Sequence, residues 1–599
     1  MRRMSDHRLR LMLAVSMGAF VIVIGRAVQI QGVDAASLSR KAVSQQRGET
    51  TLPGLRGTIM SADGQVLAQT QPSKTIVSDP RQVKNVSLTA AVIARAMGFH
   101  PFKHVGHHRA QQLQKAQGTR AKTAGQGKPR KPKLRPNPAW AAELTALEAA
   151  IRHGGYVVRQ LPIDVAAKIM RHHLPGISTF PEMQRWYPDG AVASQLLGFT
   201  GIEGSAGAGE GAGLEHQYNH VLAGRPGKQV TITDPGGMVL DTVDVQKPEN
   251  GRNITLTLSA ATQAKVQDVL AATVRTTRAK WATGIVMDPR TGAIIAMATA
   301  PGYDNNQAHL AKNQPHWSNQ ALQTVYEPGS TFKVVTFSAA LTAGLVWPGE
   351  VLHNVPDHLA FGNKIIRDDI PHKPWDISVR HILKISSNIG TDEIAQMVGK
   401  DDLMRWIRRY CFGKRTALDF PGEASGIVLP GRSWTTSSIG TIPIGQGIGV
   451  TAMQMASMYQ AIANGGVMRE PHLVSHVQGQ KLRAPWARRI LSPGVDSQMV
   501  SMLEGVVDGG TGVQATIPGY TVAGKTGTAQ KPKDGGYSNQ YDASFVGFLP
   551  AENPQVEIMI VVDSPQTSHF GGDVAAPAFE QIGSWYANHA GIRPDRPVQ

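Results

Sequence analysis

In "VYEPGSTFKVV", Ser330 follows Pro328-Gly329, and Lys333 comes three residues later, ahead of an apolar run that continues "TFSAALTAGL". That run has helical character, so the serine sits at or near a helix amino terminus and the i, i+3 spacing stacks the lysine on the same face. A serine hydroxyl is a poor nucleophile near neutral pH and needs an adjacent base to take its proton. A lysine among apolar groups can be that base, because loss of hydration disfavours its charged form. The helix terminus adds backbone N–H groups able to receive an oxyanion. About one S-x-x-K is expected by chance in a chain this long, and this is the only match. Alone, it reads better as a capping serine followed by a surface lysine.

Two later stretches weigh against that bland reading. "KISSNIGT" holds Ser386, Ser387 and Asn388, whose hydroxyl and amide groups can point to one side. "YTVAGKTGTAQK" holds Lys525, Thr526, Gly527 and Thr528 in strand-like alternation. At a sheet edge that cation and those hydroxyls could hold a substrate carboxylate, and the missing side chain at Gly527 would let a substrate backbone lie close. A Lys-Thr-Gly triplet is expected roughly 0.2 times by chance, and the ordered set of three motifs far less often.

These residues need a scaffold. "ATGIVMDPRTGAIIAMATAP" reads as a hairpin turned at Asp288 to Gly292, and "DASFVGFLPAENPQVEIMIVVDSP" as a second near the end of the chain. A strand near Arg252 to Leu258 leads into the helix-like "SAATQAKVQDVLAATVRTTRA". Two hairpins separated by largely helical sequence predict an α+β fold, an antiparallel sheet flanked by helices, for residues 251–590. Upstream, alternation around Asp63-Gly64 opens a β-rich domain over residues 45–250. In it Leu214, Tyr218, Val221 and Leu222 fall at helical spacing and read as core.

Leu11 to Gly25 is uncharged and mostly apolar, behind Arg2, Arg3, Arg8 and Arg10. Fifteen residues cover only about 22 Å of a roughly 30 Å hydrocarbon core, so a membrane anchor must run over 11–30, with Arg26 reaching toward an interface. The arginines keep residues 1–10 cytoplasmic and send the remainder across the membrane. A cleaved signal peptide or a buried core helix are the rival readings.

The 599 residues carry a net charge of +17. Residues 101–140 alone hold ten Lys or Arg and no acid. The rest is mildly basic and has no RNA-binding or zinc-finger motif, so no nucleic-acid partner is implied. The basic stretch at 103–137 lacks periodicity and reads as a flexible insertion, either a solvated loop or a contact for anionic polymer or headgroups. Cys411 is the only cysteine, which excludes an intramolecular disulfide and a multi-cysteine metal site.

The ordered motifs "STFK", "SSN" and "KTGT" closely resemble those of the penicillin-binding proteins. "LRGTIMSADGQVLA", "RWYPDGAVASQLLGF" and "GLEHQYNHVLAGRPG" are similar to the amino-terminal pedestal of class B members, the monofunctional transpeptidases anchored by one helix. "YEPGSTFK", with Glu327 ahead of the proline, looks like the division-specific FtsI type rather than the elongation type. The 103–137 insertion and the turn "SADG" depart from the pedestal pattern.

The resemblance implies that Ser330 attacks the penultimate D-alanine carbonyl of a peptidoglycan stem peptide, with Lys333 as base. It implies that Ser386 relays a proton to or from the leaving amine and that Asn388 binds the peptide amide. Lys525, Thr526 and Thr528 would hold the carboxylate, and the N–H groups of Ser330 and Thr528 would form the oxyanion hole. β-Lactams would acylate Ser330, no metal or organic cofactor is needed, and an FtsW-type glycosyltransferase would be the partner in the membrane. A D,D-carboxypeptidase and a β-lactam sensor or septal scaffold stay open as alternatives. A β-lactamase is disfavoured because no E-x-x-L-N element is present.

Overall fold

The computed structural model describes residues 2–37, 47–52, 54–104, 134–201, 211–233, 239–310 and 317–597. They form two compact units. One comprises 1–56 with 223–251, and the other 57–222 with 252–599.

The larger unit is built on a sheet buried on both faces, and the alternation in Val556–Asp563 shows how. Val556, Ile558, Ile560 and Val562 join one apolar cluster, while Met559 and Val561 join another. A period of two sends neighbouring side chains to opposite faces. The five antiparallel strands run in the order Ile294–Ala300, Trp281–Met287, Val556–Asp563, Gly536–Leu549, Ala523–Lys533. Both hairpins read from the sequence are present, the first closed by Gly292 N–H donating to the Asp288 carbonyl at 2.9 Å.

Helices Ala260–Thr277 and Ala576–His589 cover one face, packing Leu270, Phe579 and Ile582 on Val286, Phe545 and Ile560. The Phe545 and Phe579 rings meet edge to face at 4.8 Å, an arrangement worth about 0.5–1.5 kcal/mol beyond area burial. On the other face lie helices Lys333–Thr342 and Ala452–Ile462, with Val335, Phe337, Met455 and Tyr459 in the core. The motif residues thus rest on a layer fixed by burial on both sides.

The same unit carries a six-stranded sheet that includes Ile59–Met60, Val66–Ser78, Gly155–Leu161 and Ile254–Leu256, with Ile177–Trp186 also paired to Val66–Ser78. The Asp63-Gly64 turn joins the first two of these strands. Leu214, Val221 and Leu222 are buried as their spacing predicts, whereas Tyr218 is half-buried. Arg185 and Glu215 form a fully buried ion pair at 2.6 Å, and Arg185 also donates to the Gly57 carbonyl at 2.8 Å.

In the smaller unit, Arg47–Leu52, Gly227–Thr233 and Val239–Gln246 form a three-stranded antiparallel sheet. Its helix Arg2–Val28 overlaps an apolar segment, His7–Val33, none of which is buried. Twenty-seven residues at 1.5 Å each give about 40 Å, long enough to cross a bilayer. Of the basic insertion, residues 105–133 lie outside the described residues; its ends pair as Phe102–His104 with Leu134–Pro136.

Candidate active site

Ser330 lies in a single 3-10 turn, Gly329–Phe332, and Lys333 is the first residue of the α-helix that follows. The turn is anchored from below: Thr331 Oγ1 donates to the Pro328 carbonyl at 2.8 Å, and the buried Tyr459 hydroxyl donates to the Thr331 carbonyl at 2.9 Å. Gly329 has φ +57°, and a side chain there would put its Cβ 2.7 Å from the Thr528 carbonyl oxygen. Only glycine combines that backbone conformation with that approach. The backbone ahead of Ser330 is therefore in contact with the backbone of Thr528.

Lys333 has no exposed surface. Its ammonium donates to the Ser386 carbonyl at 2.5 Å, to Ser386 Oγ at 3.2 Å and to Asn388 Oδ1 at 2.7 Å. Burial pushes the Lys333 ammonium down to about 8, against the opposing pull of Asp369, Asp368 and Asp392. Ser386 ends helix Val379–Ile385 in the left-handed region, with φ +64°. A non-glycine residue held there costs about 1–3 kcal/mol and persists only where its surroundings over-determine it. The next two residues supply that constraint. Ser387 caps helix Asn388–Val398 by accepting from Gly390 N–H at 3.0 Å, and Asn388 Nδ2 donates to the Arg367 carbonyl at 2.7 Å. That second bond turns Asn388 Oδ1 toward Lys333.

The triplet lies on strand Ala523–Lys533, at the sheet edge its alternation suggests. Lys525 is also fully buried, and among the described residues its ammonium reaches only the Thr526 carbonyl and hydroxyl, each at 3.3 Å. Burial, aided by the Lys333 charge and opposed by Asp369, holds it well below the usual lysine range. The Thr526 hydroxyl meets Thr511 Oγ1 at 2.8 Å, and Thr528 Oγ1 accepts from Gly571 N–H at 3.2 Å. Gly527 differs from its sequence reading. A Cβ there would meet Ser544 Oγ, the Pro328 carbonyl oxygen at 2.9 Å and Thr331 Cγ2 at 3.0 Å. The missing side chain admits the serine turn.

Three acidic residues that the motifs do not flag surround this set. Glu327 Oε1 accepts from Gly447 N–H at 2.9 Å and from the Tyr537 hydroxyl at 3.4 Å, tying the turn before Ser330 to two other segments. Burial raises its carboxyl above the usual range. Asp392 is fully buried on the helix that begins at Asn388, with no hydrogen-bond partner for either oxygen among the described residues. Burial raises it to about 8, with Lys333 opposing and Asp368 adding to the rise. Asp368 accepts from the Ser387 hydroxyl and from the backbone N–H groups of Asn388 and Ile389. Periodicity carries no signal for Glu327 and Asp368, which act through contacts made across loops. No group of His, Cys, Asp and Glu fit to hold a metal occurs among the described residues.

The site therefore offers a serine on a tight turn and a desolvated lysine one turn on, held by a hydroxyl and an amide. Beside them is a second desolvated cation with two hydroxyls. That is equipment for acyl transfer to serine from a substrate bearing a carboxylate.

Comparison with known proteins agrees. The penicillin-binding protein transpeptidase domain family matches residues 282–584, and the penicillin-binding protein dimerisation domain family matches 51–256. Penicillin-binding protein PbpB of Mycolicibacterium smegmatis is 30% identical, covering 95% of this chain and 88% of that protein. Peptidoglycan D,D-transpeptidase FtsI of Escherichia coli is 32% identical, covering 74% and 73%. The crystal structure of penicillin-binding protein 3 from Mycobacterium tuberculosis complexed with ampicillin superposes with a TM-score of 0.67 at 25% identity, over 92% of this chain and 99% of that one. With its transpeptidase and dimerisation domains, this chain belongs to the class B penicillin-binding proteins, of the FtsI type.

Proposed function

We propose that the chain carries out peptidoglycan D,D-transpeptidation through an acyl-serine intermediate on Ser330, at the division septum. The observation that carries the mechanism is Lys333, fully buried and bonded to Ser386 and Asn388, one turn from Ser330. With a pKa of about 8, roughly a tenth of the Lys333 side chains are neutral at pH 7, several hundred times the share of an unshifted lysine.

Ser330 Oγ gives its proton to neutral Lys333 Nζ as it bonds to the carbonyl carbon of the penultimate D-alanine. The oxyanion is received by the N–H groups of Ser330 and Thr528. When the C–N bond breaks, the proton passes through Ser386 to the departing D-alanine amine. The amine of a neighbouring stem peptide then attacks the ester and loses its proton to Lys333, which passes it to Ser330 Oγ as the Oγ–C bond breaks, restoring the free serine and neutral lysine. Asn388 holds the peptide amide, and Lys525, Thr526 and Thr528 the terminal carboxylate. The ampicillin-bound relative supports the expectation that β-lactams acylate the same serine.

Residues 11–30 would anchor the protein in the cytoplasmic membrane with 1–10 inside. The pedestal at 45–250 and the transpeptidase domain at 251–590 would lie outside. An FtsW-type glycosyltransferase would be the membrane partner. Full-length protein in detergent should be labelled by fluorescent penicillin, and Ser330→Ala should abolish labelling; a mutant that still labels would overturn the acyl-serine assignment. Depletion in cells should produce filaments, whereas round cells would assign the enzyme to elongation.

A further inference from the structure

Asp368 has no part in the mechanism above, yet it holds the Ser387 hydroxyl and the backbone of Asn388 and Ile389. It follows the strand Lys364–Arg367, and its side chain is 7% exposed. Oδ1 accepts from the backbone N–H groups of Asn388 at 2.5 Å and Ile389 at 3.1 Å. Oδ2 accepts from Ser387 Oγ at 2.8 Å and lies 3.1 Å from His372 Nε2. An ionised carboxylate has about four acceptor sites and no donor; three are filled by these N–H and O–H groups, and the fourth is filled when His372 is protonated, because its Nδ1 faces the Lys373 carbonyl at 2.8 Å.

Two of those donors are the first N–H groups of helix Asn388–Val398, which would otherwise lack intrahelical partners. Negative charge is favoured at such a terminus. The preceding residue, Arg367, accepts from Asn388 Nδ2 at 2.7 Å. Arg367 and Asp368 thus grip both the side chain and the backbone of Asn388. On the other side of Ser386, Ser387 N–H donates to the Ile382 carbonyl at 2.9 Å, which fixes the left-handed turn from the preceding helix. His372 stacks on Trp375 with ring centroids 3.9 Å apart, so the fourth partner is itself held in place.

We propose that Asp368 is a positioning residue for the transpeptidase reaction: its carboxylate clamps Ser387, Asn388 and Ile389 so that the Ser386 and Asn388 oxygens converge on the Lys333 ammonium. The inference rests on the acyl-serine reading. It also carries an electrostatic consequence, since Asp368, like Asp369, favours the protonated form of Lys333 against burial.

The test is penicillin acylation by the full-length protein in detergent, resolving the acylation rate constant from the non-covalent dissociation constant, at pH 6 to 9. Wild type must acylate, and if it does not, the acyl-serine reading falls and not this one. Asp368→Asn keeps the shape but sets an NH₂ donor against donors. Its acylation rate constant should fall about 10- to 100-fold, as expected for loss of hydrogen bonds to a charged acceptor. The dissociation constant should change less than about threefold, because the carboxylate-binding residues Lys525, Thr526 and Thr528 are not touched. The inflection of the pH profile should move to lower pH, because a charge favouring protonated Lys333 is gone while Asp369, Asp392 and Lys525 remain. A variant that acylates within threefold of wild type with an unmoved inflection overturns the proposal. So does one in which rate and affinity fall together. If Asp368→Asn does not fold, His372→Phe decides: it retains the stack on Trp375 and removes one partner of Oδ2. A smaller fall confined to the acylation rate supports the clamp, and an unchanged rate overturns it.

Discussion

The floor of the site and the strand beside it each bury a lysine completely, but they surround it differently. Lys333, on the floor, is bonded to three oxygens from two residues of another helix pair and has three aspartates near enough to offset its desolvation. Lys525, on the strand, bonds among the described residues only to its neighbour Thr526 and has one aspartate in its favour, with the Lys333 charge against it. The first is poised to exchange a proton near neutral pH, and its acceptors are supplied by the protein. The second lacks a counter-charge that a substrate carboxylate would provide, and the hydroxyls of Thr526 and Thr528 stand on the same strand. One desolvated cation is arranged for chemistry and the other for binding.

Exchange of function between the two would break this comparison, so the largest effect belongs to the floor. Lys333→Ala should lower the acylation rate constant by about 10²–10⁴-fold, the usual contribution of a positioned general base, with the non-covalent affinity for penicillin little changed. In wild type the same rate should climb from pH 6 and level off above about pH 8, following the neutral fraction of Lys333. Stopped-flow acylation with a chromogenic penicillin measures both, and a flat profile would remove Lys333 from the role of base. Lys525→Ala should act mainly on affinity. Loss of a charge-assisted bond to the carboxylate is worth about 1.5–3 kcal/mol, or roughly 10- to 100-fold in the dissociation constant. A loss confined to the acylation rate would show that the strand lysine shares the chemistry.

Much of this is legible in the amino-acid sequence alone. The serine and lysine spacing, the SSN segment and the KTGT strand are local patterns, and the two hairpins follow from alternation, which burial on both faces preserves. What spacing does not reveal is what loops bring together. Lys333 and Asn388 are 55 residues apart, and Glu327 and Gly447 are 120 apart. Nothing in the spacing of "NKIIRDDIPHKPW" sets Asp368 apart from Asp369, yet only their place relative to the SSN segment separates a clamp from an exposed charge. Gly527 teaches a further point. The sequence correctly marks a place where something must lie close, but not which partner fills it, and the fold fills it with the turn carrying Ser330.

That reading of Gly527 predicts a mixed effect. In Gly527→Ala the new methyl group would press on the Pro328 carbonyl and Thr331, which overpacking commonly penalises by about 1–3 kcal/mol. The melting temperature should fall and acylation should slow by about tenfold as the serine turn is displaced. If instead stability is unchanged and only affinity drops, the glycine faces the substrate after all.

The smallest effect on acylation is expected at Asp392, and there the sign with pH separates it from its neighbour Lys333. Asp392 has a folded-state pKa of about 8 against an ordinary value of 3.8, raised chiefly by burial. Its contribution to stability is complete below about pH 4 and is lost as pH rises toward 8, because the unfolded chain releases a proton that the folded chain keeps. Lys333 has the opposite shift, from 10.5 down to about 8. Its contribution is present above about pH 10.5, is lost as pH falls toward 8, and is flat below. Between pH 4 and 8, then, only the aspartate of this pair changes the stability. Asp392→Asn keeps the shape and the absence of charge at pH 7, so acylation there should stay within about threefold of wild type. The melting temperature of the variant should exceed that of wild type by an amount that grows from pH 5 to pH 8, the underlying difference in unfolding free energy rising by no more than about 1.4 kcal/mol per pH unit. A difference that does not change over that range would mean that Asp392 is ionised throughout and acts as a standing counter-charge to Lys333. In that case the variant should acylate with its inflection moved to lower pH.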